Sequence, residues 1–323
     1  MKDLGGYFGM EQLVNNEYHE GLVALNNARN ALLYLLKSKK IRKVYIPYYL
    51  CESVSNMLNK NNYEFDYYKI DAHFSPIFNK NIDDDEILYI VNYYGQLSNE
   101  KILLLKQTYK HVLIDNTHAF FQKPLNGVDT IYSCRKFFGV PDGAYLSTNT
   151  KLSEVLETDV SKERMTHILG RYEGAASDYY FNYQEADKLL DREPLKYMSK
   201  LTHNLLGAID YENVRKVRRD NYAFLERTLK KKNKLKLITP YGAFAYPFYA
   251  ENAVEIRVKL VKKKLFIPTL WPNVLESTLE NSVEYQYSSN ILPLPCDQRY
   301  GEDDMEYIVR CINEEIEIST TMK

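Results

Sequence analysis

The sequence carries almost no net charge. Its 42 Lys+Arg stand against 43 Asp+Glu, a formal charge of −1, so no global field draws in nucleic acid or an anionic membrane. Long hydrophobic runs are missing as well: nothing approaches the roughly 18 consecutive apolar residues that a membrane-spanning helix needs. Residues 1–10 lack the basic-then-apolar pattern of a secretory signal, and the expectation is a soluble, cytoplasmic protein. Cysteine is scarce. Cys51, Cys134, Cys296 and Cys311 are scattered, without the paired spacing of a zinc or redox motif, so reduced thiols and no metal are expected. No internal repeat or low-complexity segment is present. What is there is ample apolar material: 323 residues, 45% hydrophobic, enough to bury a large core, with one large domain and a smaller one as the expectation. The 29 tyrosines are numerous but receive no functional weight as a group.

The first half alternates short apolar runs with helical patterns, the form taken by strands and crossover helices of a mostly parallel sheet. Val44–Ile46, Ile87–Val91 and Val112–Ile114 read as strands, each β-branched or aromatic and each ending at a polar or Pro-containing stop. Such sheets place their ligands at the C-terminal ends of the strands. Ala28, Ala31, Leu32, Leu35 and Leu36 recur at three- and four-residue spacing and predict a helix from Asn26-Asn27 to Lys37–Lys40. Thr130–Ser133 and Ala144–Ser147 read as two more strands. Polar helices are expected over Lys151–Val160 and Asp187–Leu206, with a larger domain over 1–205 and a smaller C-terminal α/β domain over 206–323. In the latter, Tyr211–Leu229 and Val254–Lys264 read as helices, and Ala245–Phe248 and Leu265–Pro268 as parts of a small α/β layer.

Two residues stand at positions suited to chemistry. Asp115 directly follows Val112–Ile114, so its carboxylate lies at a strand end; capping the next helix is the ordinary alternative. His118 follows three residues later and by itself reads more readily as a packed or exposed histidine than as a catalytic one. Lys136 comes 21 residues after Asp115, a span allowing one excursion and one return strand, which brings amine and carboxylate to one sheet edge. Flanked by Phe137 and Phe138, its amine can lose solvent, which lowers the pKa and favours the neutral form that makes a Schiff base. A lysine-rich chain also offers accidental pairs.

The stretches Leu113-Ile114-Asp115-Asn116-Thr117-His118-Ala119-Phe120 and Tyr132-Ser133-Cys134-Arg135-Lys136-Phe137-Phe138-Gly139-Val140-Pro141-Asp142-Gly143-Ala144 resemble the core of the DegT/DnrJ/StrS family. These are fold-type-I sugar aminotransferases that use pyridoxal 5′-phosphate. Ile46–Cys51, Val91–Gln96 and Leu292–Tyr300 resemble further family segments in the family's order, so the likeness spans most of the chain. The resemblance implies a large domain with a mostly parallel sheet flanked by helices and a smaller α/β domain. It implies that Lys136 binds the cofactor covalently and shuttles protons, that Asp115 pairs with the pyridine nitrogen, and that His118 sits beside the phenolic oxygen. Thr117 would pack on one ring face and Tyr49 on the other. The phosphate would meet Ala28 and Arg29 at a helix N-terminus, with Ser133 as a second contact and Asn182 reaching in from the neighbouring subunit of a homodimer.

The chain departs from the family in three places. Asn27-Ala28-Arg29 stands where a Ser-Gly-Thr type turn is usual. Phe181-Asn182-Tyr183-Gln184 replaces the Asn-x-Arg segment, and a neutral amide cannot supply the guanidinium's charge. The region ahead of Tyr179 is short, which bears on the acceptor more than on the cofactor. Among other motifs, Gly5-Gly6-Tyr7-Phe8-Gly9 follows no strand, so it reads as an N-terminal arm and not a dinucleotide loop. Asp83–Glu86 reads as a solvated loop, since four consecutive acids cannot face one ion. Trp271 reads either as a cavity wall or as core. The expected function is transfer of an amino group from glutamate to a keto sugar nucleotide for a surface polysaccharide. The alternatives are a small non-sugar carbonyl as acceptor, or a non-catalytic scaffold of the same fold.

Overall fold

The computed structural model describes residues 7–321, with side chains to 316; Gly5 and Gly6 of the expected arm lie outside the described residues. Its strands are β1 (Val23–Leu25), β2 (Lys43–Pro47), β3 (Glu64–Ile70), β4 (Pro76–Ile77), β5 (Glu86–Val91), β6 (Val112–Asp115), β7 (Asp129–Ser133), β8 (Ala144–Ser147), β9 (Tyr246–Tyr249) and β10 (Ile291–Leu294). The helices are α1 (Ala28–Lys39), α2 (Glu52–Lys60), α3 (Asn99–Tyr109), α4 (Thr166–Glu173), α5 (Tyr180–Arg192) and α6 (Lys200–Gly207). They continue with α7 (Tyr211–Leu229), α8 (Ala253–Lys262), α9 (Pro272–Ser277), α10 (Val283–Asn290) and α11 (Glu302–Thr321).

Eight strands form one mixed sheet in the order β1-β8-β7-β6-β5-β2-β3-β4. The five from β7 to β3 run parallel, while β1, β8 and β4 pair antiparallel at the two ends. The chain is therefore α/β with a mostly parallel sheet, as expected. β5 is buried along its whole length because parallel strands with covered faces read as continuous apolar runs. Asn27 caps α1, its side chain accepting the Asn30 N–H at 2.9 Å, and Lys40 closes the helix in the left-handed region.

Three expectations fail, each for a local reason. Residues 151–160 form no helix: they run irregularly beside α1, where the Tyr34 hydroxyl takes the Leu152 N–H at 3.0 Å and Thr158 bridges Tyr197. Asp187–Leu206 is not one helix. Pro194 stops α5, because a proline disfavours helical backbone at the residue before it, and Ser199 starts α6 afresh as its cap. Leu265–Pro268 makes no strand; β9 pairs instead with β10, whose Leu-Pro-Leu sequence hides its β character. β3 escaped notice because its charged, half-exposed alternation breaks the apolar pattern.

A second apolar cluster, with Tyr222, Leu225, Tyr246, Phe248, Ile256, Leu292 and Ile308, forms around β9, β10 and the helices packed on them. Arg218 of α7 ties it to the large sheet. Its guanidinium is 2% exposed, lies over the Phe137 ring at 4.4 Å, and donates to the carbonyls of Ala243 at 2.6 Å and Phe137 at 3.1 Å and to Gln298 at 2.7 Å. Burial lowers its pKa to about 10, which leaves it charged at neutral pH. Removing it strands the buried Ala243 carbonyl and leaves the Phe137 carbonyl with Gln298 Nε2 at 2.8 Å as its remaining donor, so Arg218→Ala is expected to cost about 2–4 kcal/mol, read as a lower denaturant midpoint.

Candidate active site

A cavity of about 860 Å³ opens at the C-terminal edge of the parallel strands. Its walls include Tyr89 and Val91 of β5, Asp115, Thr117 and His118 after β6, Ser133, Arg135 and Lys136 after β7, the first turn of α1, and Trp271. The register explains the gathering: Val91 is paired with Asp115, and Asp115 with Ile131, so the ends of neighbouring strands deliver their side chains to one rim.

Lys136 closes a short turn that leaves β7. Pro141-Asp142-Gly143 brings the chain back, and the geometry of that return is tightly set. Asp142 is fully buried and accepts from the Ser199 N–H at 2.8 Å, the Ser199 hydroxyl at 2.7 Å and the Thr202 hydroxyl. Gly143 has φ +116°, and a Cβ there would meet Thr202 at 3.0 Å and Cys134 at 3.2 Å, so both backbone angle and space require glycine. From this frame the Lys136 side chain projects into the cavity. It reaches cavity solvent yet is densely enclosed by protein, as a side chain in a recess is. Among the described residues its amine makes no hydrogen bond or ion pair. Burial pushes its pKa down and Arg135 assists, while Cys51, Asp187 and Asp115 oppose.

Asp115 is 6% exposed. One carboxylate oxygen accepts the Thr117 N–H at 2.8 Å and the other the Tyr89 hydroxyl at 2.5 Å. Burial nevertheless pushes the carboxyl above the usual carboxylate range, against those bonds and Lys136. His118 is buried, its ring stacked on Phe244 at 4.1 Å and nearly parallel to Trp271 at 6.0 Å. Burial, with Lys136 nearby, lowers its pKa to about 3, so it stays neutral at physiological pH. At the cavity's other end, α1 presents its first turn. Asn27 satisfies Asn30, and the N–H groups of Ala28 and Arg29 have no acceptor inside the helix, which makes that end a ready anion site.

Of the residues singled out from sequence, Lys136, Asp115, His118, Thr117, Ser133, Ala28 and Arg29 line one cavity. Tyr49 does not: it is fully buried behind the wall, 5.0 Å from Trp271 and 5.1 Å from Tyr93, and Trp271 stands in the wall itself. Asn182 is half-exposed on α5 and outside the lining, whereas Tyr183, Asp187 and Asp191 of that helix are in it. Sequence reading also missed Tyr89, Cys51 and Arg135 as wall residues. Tyr89 was legible in principle, since it shares a strand face with Val91 near the strand's C-terminal end. Arg29 pairs with Asp191 and Arg135 with Asp187 at 2.8 Å, which places two guanidiniums at the rim. Together the walls offer an unpartnered amine in a recess, a buried carboxylate, a neutral imidazole and an anion-seeking helix end, a set that suits a planar ligand bearing a ring nitrogen and a phosphate.

No family model matches the chain, and no curated protein matches it in sequence. Solved structures do match in fold. The sugar aminotransferase CalS13 from Micromonospora echinospora is 12% identical, with a TM-score of 0.58 over 91% of this chain and 87% of that one. PseC of Helicobacter pylori, an aminotransferase of pseudoaminic acid biosynthesis, is 14% identical at a TM-score of 0.57, covering 91% and 86%. NtdA of Bacillus subtilis, solved with bound pyridoxamine phosphate (PMP), is 14% identical at 0.65, covering 92% and 73%. The chain therefore has the fold-type-I architecture of these transferases.

Because Asp115 is costly to bury charged, Asp115→Asn is expected to raise the melting temperature of the cofactor-free protein by roughly 2–4 °C at pH 8. A carboxyl whose folded pKa is raised penalises the fold only while ionised. The gain therefore shrinks as pH falls through that pKa, and melting curves taken from pH 8 down to pH 4 check both magnitude and sign.

Proposed function

We propose that this protein is a pyridoxal 5′-phosphate-dependent aminotransferase. The observation that carries the reading is that Lys136, Asp115, His118 and the N-terminus of α1 line one cavity at the sheet edge where this fold places its chemistry. Pyridoxal phosphate, when bound, supplies the electron sink that stabilises charge on the substrate carbon. The residues present fit it. Asp115 keeps a proton on the ring nitrogen, at a site where burial penalises an unpaired carboxylate and an opposite charge offsets that cost. The Lys136 amine, whose pKa burial lowers, would act as nucleophile in its neutral form and then carry a proton on Nζ. Neutral His118 donates or accepts a hydrogen bond beside the ring. The first turn of α1, Arg29 and Ser133 hold the phosphate, and Ala28 is tolerated there because its backbone is already helical.

The acceptor is read as a keto sugar nucleotide and the donor as glutamate, in surface polysaccharide synthesis in the cytoplasm. Support comes from the fold shared with sugar aminotransferases and from a cavity too large for the cofactor alone. No helix among the described residues is long and apolar enough to cross a membrane. A homodimer, with Asn182 serving the neighbouring subunit, belongs to the same reading, since Asn182 lies outside its own chain's cavity. So does a division into a cofactor-binding unit, 1–205, and a smaller unit, 206–323, which is supported by the second apolar cluster.

Absorbance spectroscopy of the purified protein with pyridoxal phosphate tests the proposal. The expected result is a near-visible band that glutamate removes, that Lys136→Ala fails to form, and a loss of turnover of about 10²–10⁴-fold or more in that variant. A protein that forms no lysine-dependent band at saturating cofactor is not an aminotransferase of this kind. Turnover confined to small keto acids would overturn the sugar assignment alone.

A further inference from the structure

Both oxygens of the Asp115 carboxylate are held, and the two holders differ in kind. The Thr117 N–H contact at 2.8 Å is local, spanning two residues, and belongs to the turn that an aspartate at a strand end makes with its own backbone. The Tyr89 contact at 2.5 Å spans 26 residues and comes from the neighbouring strand. Tyr89 lies two residues before Val91, the register partner of Asp115, on the same face of β5. It is 4% exposed, so bulk water does not compete for the phenol proton.

Two consequences follow from this geometry. A hydroxyl donating to a carboxylate favours the ionised acid and so counters the burial that raises the Asp115 pKa. The terminal torsion of an aspartate is broad, and a second anchor on the other oxygen fixes the carboxylate plane. Tyr89 itself keeps its proton, because burial and the adjacent Asp115 charge hold its pKa well above the ordinary phenol value. The other titratable groups around Asp115 are Tyr93, also held protonated by burial, and Lys136, whose charge burial disfavours.

We infer that Tyr89 is a positioning residue: through its hydrogen bond it keeps Asp115 ionised and holds the carboxylate so that a free lone pair can meet the ring nitrogen of the cofactor. This rests on the reading of the cavity as a pyridoxal phosphate site. It gives one of the abundant tyrosines a chemical task.

The test compares full-length wild type, Tyr89→Phe and a control, Tyr68→Phe. Tyr68 is another buried phenol of the same sheet, donating to the Tyr89 carbonyl at 2.8 Å, so its variant reports generic loss of a buried hydroxyl. In cofactor-free protein with 13C-labelled aspartate carboxyls, the Asp115 resonance, assigned through Asp115→Asn, gives its titration midpoint. Tyr89→Phe is expected to raise that midpoint by about one pH unit or more, while Tyr68→Phe leaves it in place. Direct titration with pyridoxal phosphate should then show Tyr89→Phe binding about tenfold more weakly than wild type at pH values below the variant's own carboxyl midpoint and recovering above it, as the carboxyl ionises. The inference is overturned if wild type binds the cofactor and Tyr89→Phe follows the same midpoint and pH curve, or if Tyr68→Phe shifts both equally. A wild type that binds no cofactor at any pH overturns the functional reading instead, and the role of Tyr89 with it.

Discussion

The site depends on parallel strand register. Because β2, β5, β6 and β7 all run the same way, their C-terminal ends lie along one rim, and pairing of Val91 with Asp115 and of Asp115 with Ile131 sets the heights at which side chains leave it. A one-residue slip in any pair would turn Asp115 from the cavity to the opposite face. The N-terminus of α1 belongs to the same arrangement, since helices antiparallel to the strands end their N-terminal turns at that rim. Carboxylate, amine and helix end meet because the sheet is parallel there, not because they attract one another.

Their chemistry in turn comes from burial. Enclosure by protein raises the acid at position 115, lowers the amine at 136 and keeps the imidazole at 118 neutral; the first two shifts cost the free protein stability at neutral pH, the third only in acid, where a solvated histidine would be protonated. The frame has to withstand that cost. Asp142 with its three donors and Gly143 with its positive φ set the return after Lys136, while Arg218 grips the Phe137 carbonyl from α7. The second apolar cluster thereby acts on the residue next to Lys136 through a buried cation.

Much of this was legible in the amino-acid sequence and some was not, for definable reasons. The strands that hold the site are continuous β-branched runs, and the α1 pattern is periodic and capped, so propensity and tertiary demand agree there. Residues 151–160 failed because a polar segment has no face to direct it until α1 supplies partners. The break at Pro194 is written in the sequence, since proline ends a helix at the residue before it. Motif position alone does not say which of Tyr49 and Trp271 faces the cavity and which stands behind it. Asn182 shows the converse: a motif match can sit on an element whose neighbouring residues, Tyr183 and Asp187, do the lining.

The sequence by itself determined the α/β class and the strand ends, which follow from local pattern and chain connectivity, and it offered Asp115 and Lys136 as a candidate pair through its resemblance to a known family. Only the tertiary structure decided that Tyr89 reaches the Asp115 carboxylate, that Arg29 and Arg135 are engaged by Asp191 and Asp187, and that Trp271 stands in the cavity wall with Tyr49 behind it. Those facts are contacts between residues far apart in the chain. They are set by register, packing and the exclusion of water, none of which is written in any single segment.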